Sequence, residues 1–262
     1  MSVIEVERRQ SDRVAWVWMS RAEIHNAFDE TLIAELTSTL RQLEVDPSVR
    51  VVVLAGRGKS FSAGADLNWM RRQGMASQSE NLADAQKLAE LFRTLSEMKK
   101  PTLARVHGPA MAGGMGLAAA CDICVASDNA IFATSEVKLG IIPAVISPYV
   151  IRAIGERQAY RYFQTAERLD AKRAYELGLA HEVTSPDQID AVVQKIIDAL
   201  LAGGPLSQAA STLLIRAVAN QPVTPELIHH TAVAISSIRA SDEAKEGLTA
   251  FLEKRSPSWV SN

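Results

Sequence analysis

A chain of 262 residues with 47 % hydrophobic and 22 % charged side chains can bury a substantial core, which excludes a disordered or low-complexity tract. Its 28 basic and 30 acidic residues leave a formal charge of −2 and are scattered, so no basic face argues for a nucleic-acid partner. No apolar run approaches the roughly 20 residues of a membrane span, and the N-terminus alternates apolar and polar residues like a strand rather than a signal peptide, so a cytoplasmic chain with no membrane association is expected.

The first half alternates strands with helices. RVAWVWM (13–19) and RVVVLAG (50–56) are β-branched apolar runs ending in turn residues, as buried strands do. Between them Asp29 precedes ETLIAELTSTLRQLEV, whose apolar residues recur at helical spacing, and it suits an N-cap. A second helix is predicted over about 79–99, ending before the Pro101 that opens the strand PTLARVHG. A Gly-rich turn with a helix start (108–120), a strand DICVAS and a strand AIFATSEV follow. This order predicts helices layered around sheets. After Pro143 the residues turn helical, over 149–166, AKRAYELG ending at Gly178, and DQIDAVVQKIIDALLAG. Two more helices are predicted, 205–219 and 224–253, with no strand among them. The chain thus divides into a mixed core, 1–200, and a helical region, 201–262, whose amphipathic helices suit either a cover for the chain's own core or, the favoured reading, contacts with a neighbouring subunit.

Several motifs fail on inspection. GRGKS (56–60) contains G-K-S, but the Walker pattern needs a glycine where Val53 stands. The dinucleotide pattern G-x-G-x-x-G starts at Gly56 and Gly58 and breaks at Phe61. No G-x-S-x-G marks a hydrolase elbow. The only cysteines, Cys121 and Cys124, lie in AAACDICVAS with none of the five histidines nearby in sequence, so two core thiols are expected rather than a zinc or redox site. His229 and His230 are adjacent and point to different faces of a helix, which suits packing or surface roles.

Two loops share one design. FSAGADL (61–67) and HGPAMAGGMGL (107–117) each follow a strand and lead into a helix, and their small residues let a ligand approach the main chain. Amides at a helix start point outward and carry partial positive charge. Two such loops converging would bracket a carbonyl oxygen as it gains charge, where one donor is worth roughly 3 kcal/mol. From spacing alone, the same residues serve equally as tight strand-to-helix turns.

These two segments, followed by A-C-D (120–122) and S-E-V-K-L-G-I-I-P (135–143), resemble the ordered signature blocks of the crotonase (enoyl-CoA hydratase/isomerase) superfamily. R-A-E-I-H-N-A-F (21–28) is similar to that family's CoA-contacting turn, and D-E-A-K-E-G-L-T-A-F-L-E-K-R (242–255) to its closing helix, so the likeness spans nearly the whole chain. The resemblance implies an α/β fold, a spiral of ββα units with a helical C-terminal region, assembled as a homotrimer or homohexamer. It implies an acyl-CoA thioester substrate and no metal or redox cofactor, CoA entering as part of the substrate. Ala65 and Gly113 fall where the family's oxyanion amides lie. Ile24, Ala63 and Asp66 fall in segments that line the CoA arm, and Phe251 and Lys254 match closing-helix positions that reach the nucleotide. Asn68 departs from the pattern, standing where many relatives carry a phosphate-facing lysine.

Hydratases of this family resemble one another in using two glutamates around one water. Glu136 matches the second of them, and Gly116 occupies the position of the first. Three readings follow: a 2-enoyl-CoA hydratase working through Glu136 and another group, a Δ3,Δ2-enoyl-CoA isomerase with one carboxylate, or an acyl-CoA-binding protein. An acid in FATSEVKLG speaks against the last, since a binder needs none there. A-D-L-N-W-M-R (65–71), I-S-P-Y (146–149) and R-Y-F-Q-T-A-E-R-L-D-A (161–171) favour the hydratase, resembling bacterial methylglutaconyl-CoA and isohexenylglutaconyl-CoA hydratases. A glutaconyl substrate carries a second carboxylate, for which Arg71 and Arg72 are the candidate partners; on residue type alone they also suit an exposed helix face.

Overall fold

The strands that read as unbroken apolar runs are those buried on both faces of one sheet. In the computed structural model, which describes residues 2–11 and 13–260, β1 (Ile4–Arg9) and β2 (Val14–Met19) form an antiparallel hairpin. Helix α1 (Glu30–Val45) then returns the chain to β3 (Val51–Gly56), which pairs parallel to β2. Helices α2 (Leu67–Met75) and α3 (Gln78–Ser96) lead to β4 (Thr102–Val106). Next come β5 (Pro109–Met111), α4 (Gly113–Ala120), β6 (Ile123–Ser127) and β7 (Ile131–Ala133). The second half carries α5 (Ser147–Ile154), α6 (Glu156–Thr165), β8 (Leu169–Asp170), α7 (Ala171–Glu176), β9 (Glu182–Thr184) and α8 (Ile189–Ala202). Helices α9 (Pro205–Val218), α10 (Pro225–Arg239) and α11 (Asp242–Glu253) close the chain.

The main sheet has the order β1-β2-β3-β4-β6-β9, and every pair after the first is parallel. On one face Val14, Trp16, Trp18, Val51, Val53, Leu103 and Val125 pack against Ile189, Val193, Ile197 and Leu201 of α8. On the other, Val17, Met19, Leu54, Ala104 and Val106 share a core with residues of α1, α3 and α4. Burial on both faces is why these strands carry no alternation. A second, three-stranded sheet has the order β5-β7-β8, and its strand β5 leads into the Gly-rich start of α4. The fold is the mixed α/β architecture expected.

Local chemistry explains where the predicted boundaries hold and where they fail. Asp29 caps α1 by accepting from the Leu32 N–H at 2.9 Å, as expected. Ser77 and Glu80 form a reciprocal capping box that starts α3 at Gln78. The strand expected through Val137 stops at Ala133, and a 3-10 turn covers Glu136–Leu139. The helix expected over 149–166 is two, broken at Gly155 with φ 78° and ψ 154°. The helix expected over 224–253 is also two, because the Ser241 hydroxyl accepts from the Ala244 N–H at 3.2 Å and starts α11 afresh. Both cysteines are buried, and burial pushes the Cys124 thiol up to about 12. No helix among the described residues is long and apolar enough to cross a membrane.

Candidate active site

The turn Arg21–Phe28 is a template for the first loop. His25 and Asn26 both take left-handed backbone, φ 56° and 54°. The loop is laid along them by three main-chain bonds: Ala63 N–H to His25 O at 2.9 Å, Phe28 N–H to Gly64 O at 2.7 Å and Asp66 N–H to Phe28 O at 2.8 Å. Gly64 has φ +90°, and a Cβ there would stand 3.1 Å from both the Ala112 Cβ and the Met111 carbonyl oxygen. The two small-residue loops therefore touch, and glycine is what lets them do so.

The second loop is fastened from both sides. Ser62 N–H donates to Pro109 O at 3.1 Å, and Met111 N–H returns a bond to Ser62 O at 2.9 Å. Ala112 N–H donates to Ala133 O at 2.7 Å. Gly113 then opens α4 pressed against the Phe28 ring, where an added Cβ would lie 2.4 Å from Cε2. Among the described residues neither the Ala65 nor the Gly113 N–H has an acceptor within the chain. Two unpaired amides on touching loops, one of them at a helix start, suit a carbonyl oxygen that gains charge.

Ala112 carries the strain of this arrangement. Its φ of 49° and ψ of −115° are expensive for a residue with a Cβ. Relief of about 1–3 kcal/mol of strain outweighs the roughly 1 kcal/mol that glycine loses through its freer unfolded chain. Ala112→Gly is therefore expected to raise Tm by about 2–4 °C in a thermal melt. A fall in Tm would contradict that backbone assignment.

Glu136 enters from the same region. It lies three residues beyond Ala133, whose carbonyl holds Ala112, and opens the 3-10 turn. Its Oε2 is buried and has no hydrogen-bond partner. Burial raises its pKa, and a hydrogen bond from its own main chain opposes the rise only in part. Glu136 as a whole is half-buried, and a carboxyl with one buried, unpartnered oxygen and a raised pKa is the kind of group that can exchange a proton with a ligand.

At Gly116 the structure shows occupation rather than a gap. A Cβ there would lie 2.4 Å from Ile146 Cγ2 and 2.9 Å from Phe92 Cε1. Ile146 is buried, and Phe92 is backed by Tyr149 with ring centroids 5.6 Å apart. Hydrocarbon fills the volume that any side chain at 116 would need.

A family profile described as enoyl-CoA hydratase/isomerase matches residues 9–262. The chain belongs to the enoyl-CoA hydratase/isomerase family. An enoyl-CoA hydratase structure from Shewanella pealeana superposes with a TM-score of 0.94 at 44 % identity, covering 98 % of this chain and 96 % of that one. The crotonyl-CoA hydratase of Syntrophomonas wolfei is 32 % identical, over 96 % of each chain. The 2,3-dehydroadipyl-CoA hydratase of Escherichia coli is 30 % identical, over 99 % of each.

The family's remaining positions are distributed unevenly. Ile24 is half-buried and Ala63 exposed, at the open edge of the first loop. Asp66 uses its carboxylate as the N-cap of α2, accepting from Asn68 N–H at 2.9 Å and Trp69 N–H at 3.0 Å. Asn68 is exposed and accepts from Arg71 at 3.3 Å. Arg72, also exposed, is clasped by both Glu30 oxygens at 2.8 Å. Phe251 is 80 % exposed and Lys254 ends α11 in left-handed backbone, on a helix that packs against α9 and α10. A groove of about 830 Å³ runs between α1 and α3 and is lined by neither loop. The sequence reading missed three residues that shape the centre: Asn26, Ser62 and Ile146. All three lie inside the motifs named above, but only the packed chain shows what they touch.

Proposed function

We propose that this family member adds water to a 2-enoyl-CoA with a branched or carboxylated acyl group, of which 3-methylglutaconyl-CoA is the expected example. The observation that carries this reading is the pair of unpaired amides, Ala65 and Gly113, on touching loops next to the segment that bears Glu136, whose Oε2 is buried without a partner. Glu136 carboxylate takes a proton from water as the water oxygen bonds to C3. The C2=C3 electrons move onto the thioester oxygen, where the two N–H groups hold the enolate. The enolate collapses and C2 takes the proton from the Glu136 carboxylic acid, so H and OH have added across the double bond and the carboxylate is restored. The E. coli relative named for a dehydroadipyl thioester supports an acyl group with a second carboxylate. Arg72 is paired with Glu30, whereas Arg71 contacts only the neutral Asn68, which favours Arg71 as the carboxylate partner. Arg71→Ala is expected to raise KM for methylglutaconyl-CoA several-fold and Arg72→Ala to leave it unchanged; an unmoved KM in both would remove the arginines from recognition.

A second reading, Δ3,Δ2-isomerisation, is favoured by Ile146 standing over Gly116, because one carboxylate suffices to carry a proton from C2 to C4. A substrate panel in buffered ²H₂O separates the two. Loss of enoyl absorbance from crotonyl- or 3-methylglutaconyl-CoA, with deuterium at C2, supports the hydratase. Conversion of the 3-enoyl ester alone supports the isomerase, and tight binding with neither reaction supports a binder.

We further infer a homotrimer or homohexamer. Helices α9 and α10 contain no buried residue and expose Leu206, Leu213, Ile215, Ile228, Val233 and Ile235, an apolar surface suited to a second copy of the chain.

A further inference from the structure

The loop that carries the Ala65 amide ends in a positive-φ glycine and exposes Ala63, so something outside it must hold it still. The buried carboxamide of Asn26 does this. Asn26 is 0 % exposed. Its Nδ2 donates to the carbonyls of Arg57 at 2.9 Å, Ser60 at 2.9 Å and Phe61 at 3.2 Å, while its Oδ1 accepts from Arg21 N–H at 2.9 Å. Two amide hydrogens serving three carbonyls means that one is shared. Its main-chain oxygen accepts from the Ser62 hydroxyl at 2.8 Å, and that hydroxyl accepts from Gly64 N–H at 3.3 Å. Ser62 is also 0 % exposed. An unbroken series of bonds therefore runs from the 21–28 turn, through residues 57–62, to the residue before Ala65.

We propose that Asn26, acting through Ser62, is a positioning residue that fixes the direction of the Ala65 N–H before a thioester binds. The proposal rests on the reading of Ala65 as an oxyanion donor. It assigns the Asn26 side chain to the loop rather than to the CoA arm, since a fully buried carboxamide with all its contacts inside the chain has no group left for a ligand. The chemistry also requires an amide. Aspartate matches its shape and tolerates the left-handed backbone, but it turns an oxygen toward three carbonyl oxygens.

The test combines Asn26→Asp and Ser62→Ala with a spectroscopic readout of polarisation at the site. The thioester C=O stretch of bound crotonyl-CoA is recorded by infrared difference spectroscopy, alongside kcat, KM and Tm. The wild-type enzyme should shift the stretch to lower frequency. Ser62→Ala, the milder change, should roughly halve that shift and lower kcat about 10-fold with KM within two-fold; Asn26→Asp, if it folds, should lower kcat about 100-fold. Glu136→Gln serves as the control, because it should lower kcat roughly 100-fold or more while keeping the full shift. A wild-type enzyme with no shift would sink the oxyanion reading itself. A full shift that survives in Ser62→Ala with unchanged kcat would overturn the positioning role even if Asn26→Asp fails to fold.

Discussion

Glu136→Gln lowers kcat by roughly 100-fold or more, about 2.7 kcal/mol of barrier, while the affinity for a CoA thioester stays within two-fold. The expectation follows from the state of this one carboxyl. The glutamine keeps the volume and the polar contacts but cannot take a proton from water or from C2. Its Oε2 has no partner in the chain, so the substitution leaves no broken ion pair and little structural reason for a loss. The pH dependence adds a sign. Burial raises the Glu136 pKa, and the proposed hydration begins from the carboxylate, so log kcat/KM should climb as pH rises through a value above the ordinary glutamate range of about 4.3. Stability runs the other way. A carboxyl whose folded-state pKa is raised binds its proton more tightly in the native chain, so its contribution favours folding at low pH and is lost as pH rises through the folded value. In Glu136→Gln both the acid limb of the rate profile and that slope in stability should vanish together. A variant that keeps near-normal turnover would remove Glu136 from the chemistry.

What could be read in the sequence was whatever a short stretch of chain decides for itself. The apolar runs of β2 and β3 announced strands because both their faces are covered, and Asp29 announced a helix start because its carboxylate caps within three residues. The two small-residue loops could be recognised by composition, yet their contact could not, since Gly64 meets Ala112 only after α2, α3 and β4 have brought residues 48 positions apart together. Strands β8 and β9 escaped because 2 and 3 residues carry no periodicity, and their pairing is set by the neighbours they meet. The break at Ser241 was legible in principle, as a serine three residues before the Ala244 amide, but apolar residues continuing on both sides masked it. Asn26 illustrates the hardest class. Its carboxamide partners lie 31, 34 and 35 residues away, so nothing adjacent in sequence distinguishes a buried clamp from a ligand contact.

Placing an acid at position 116 is expected to destroy the fold locally rather than add a second catalytic group. Even Gly116→Ala must push Ile146 Cγ2 from 2.4 Å, an overpacking that costs about 1–3 kcal/mol against a helix-propensity gain of about 1 kcal/mol. Gly116→Glu adds a carboxylate to a pocket of Ile146 and Phe92 with no cation or donor among those contacts, which belongs with the rare losses above about 4 kcal/mol. A Tm at least about 8 °C lower, or failure to accumulate as soluble protein, is the result expected from that variant. The paired change separates sterics from charge. Ile146→Ala alone should cost about 2–4 kcal/mol through its cavity, whereas Gly116→Ala combined with Ile146→Ala should be more stable than the sum of the two by about 1 kcal/mol or more, since the new methyl enters the vacated space. Strict additivity would mean that the two side chains do not share that volume. If they do share it, Ile146 occupies the space into which a side chain at 116 would project, and position 116 supplies no second carboxylate to the proposed chemistry of Glu136.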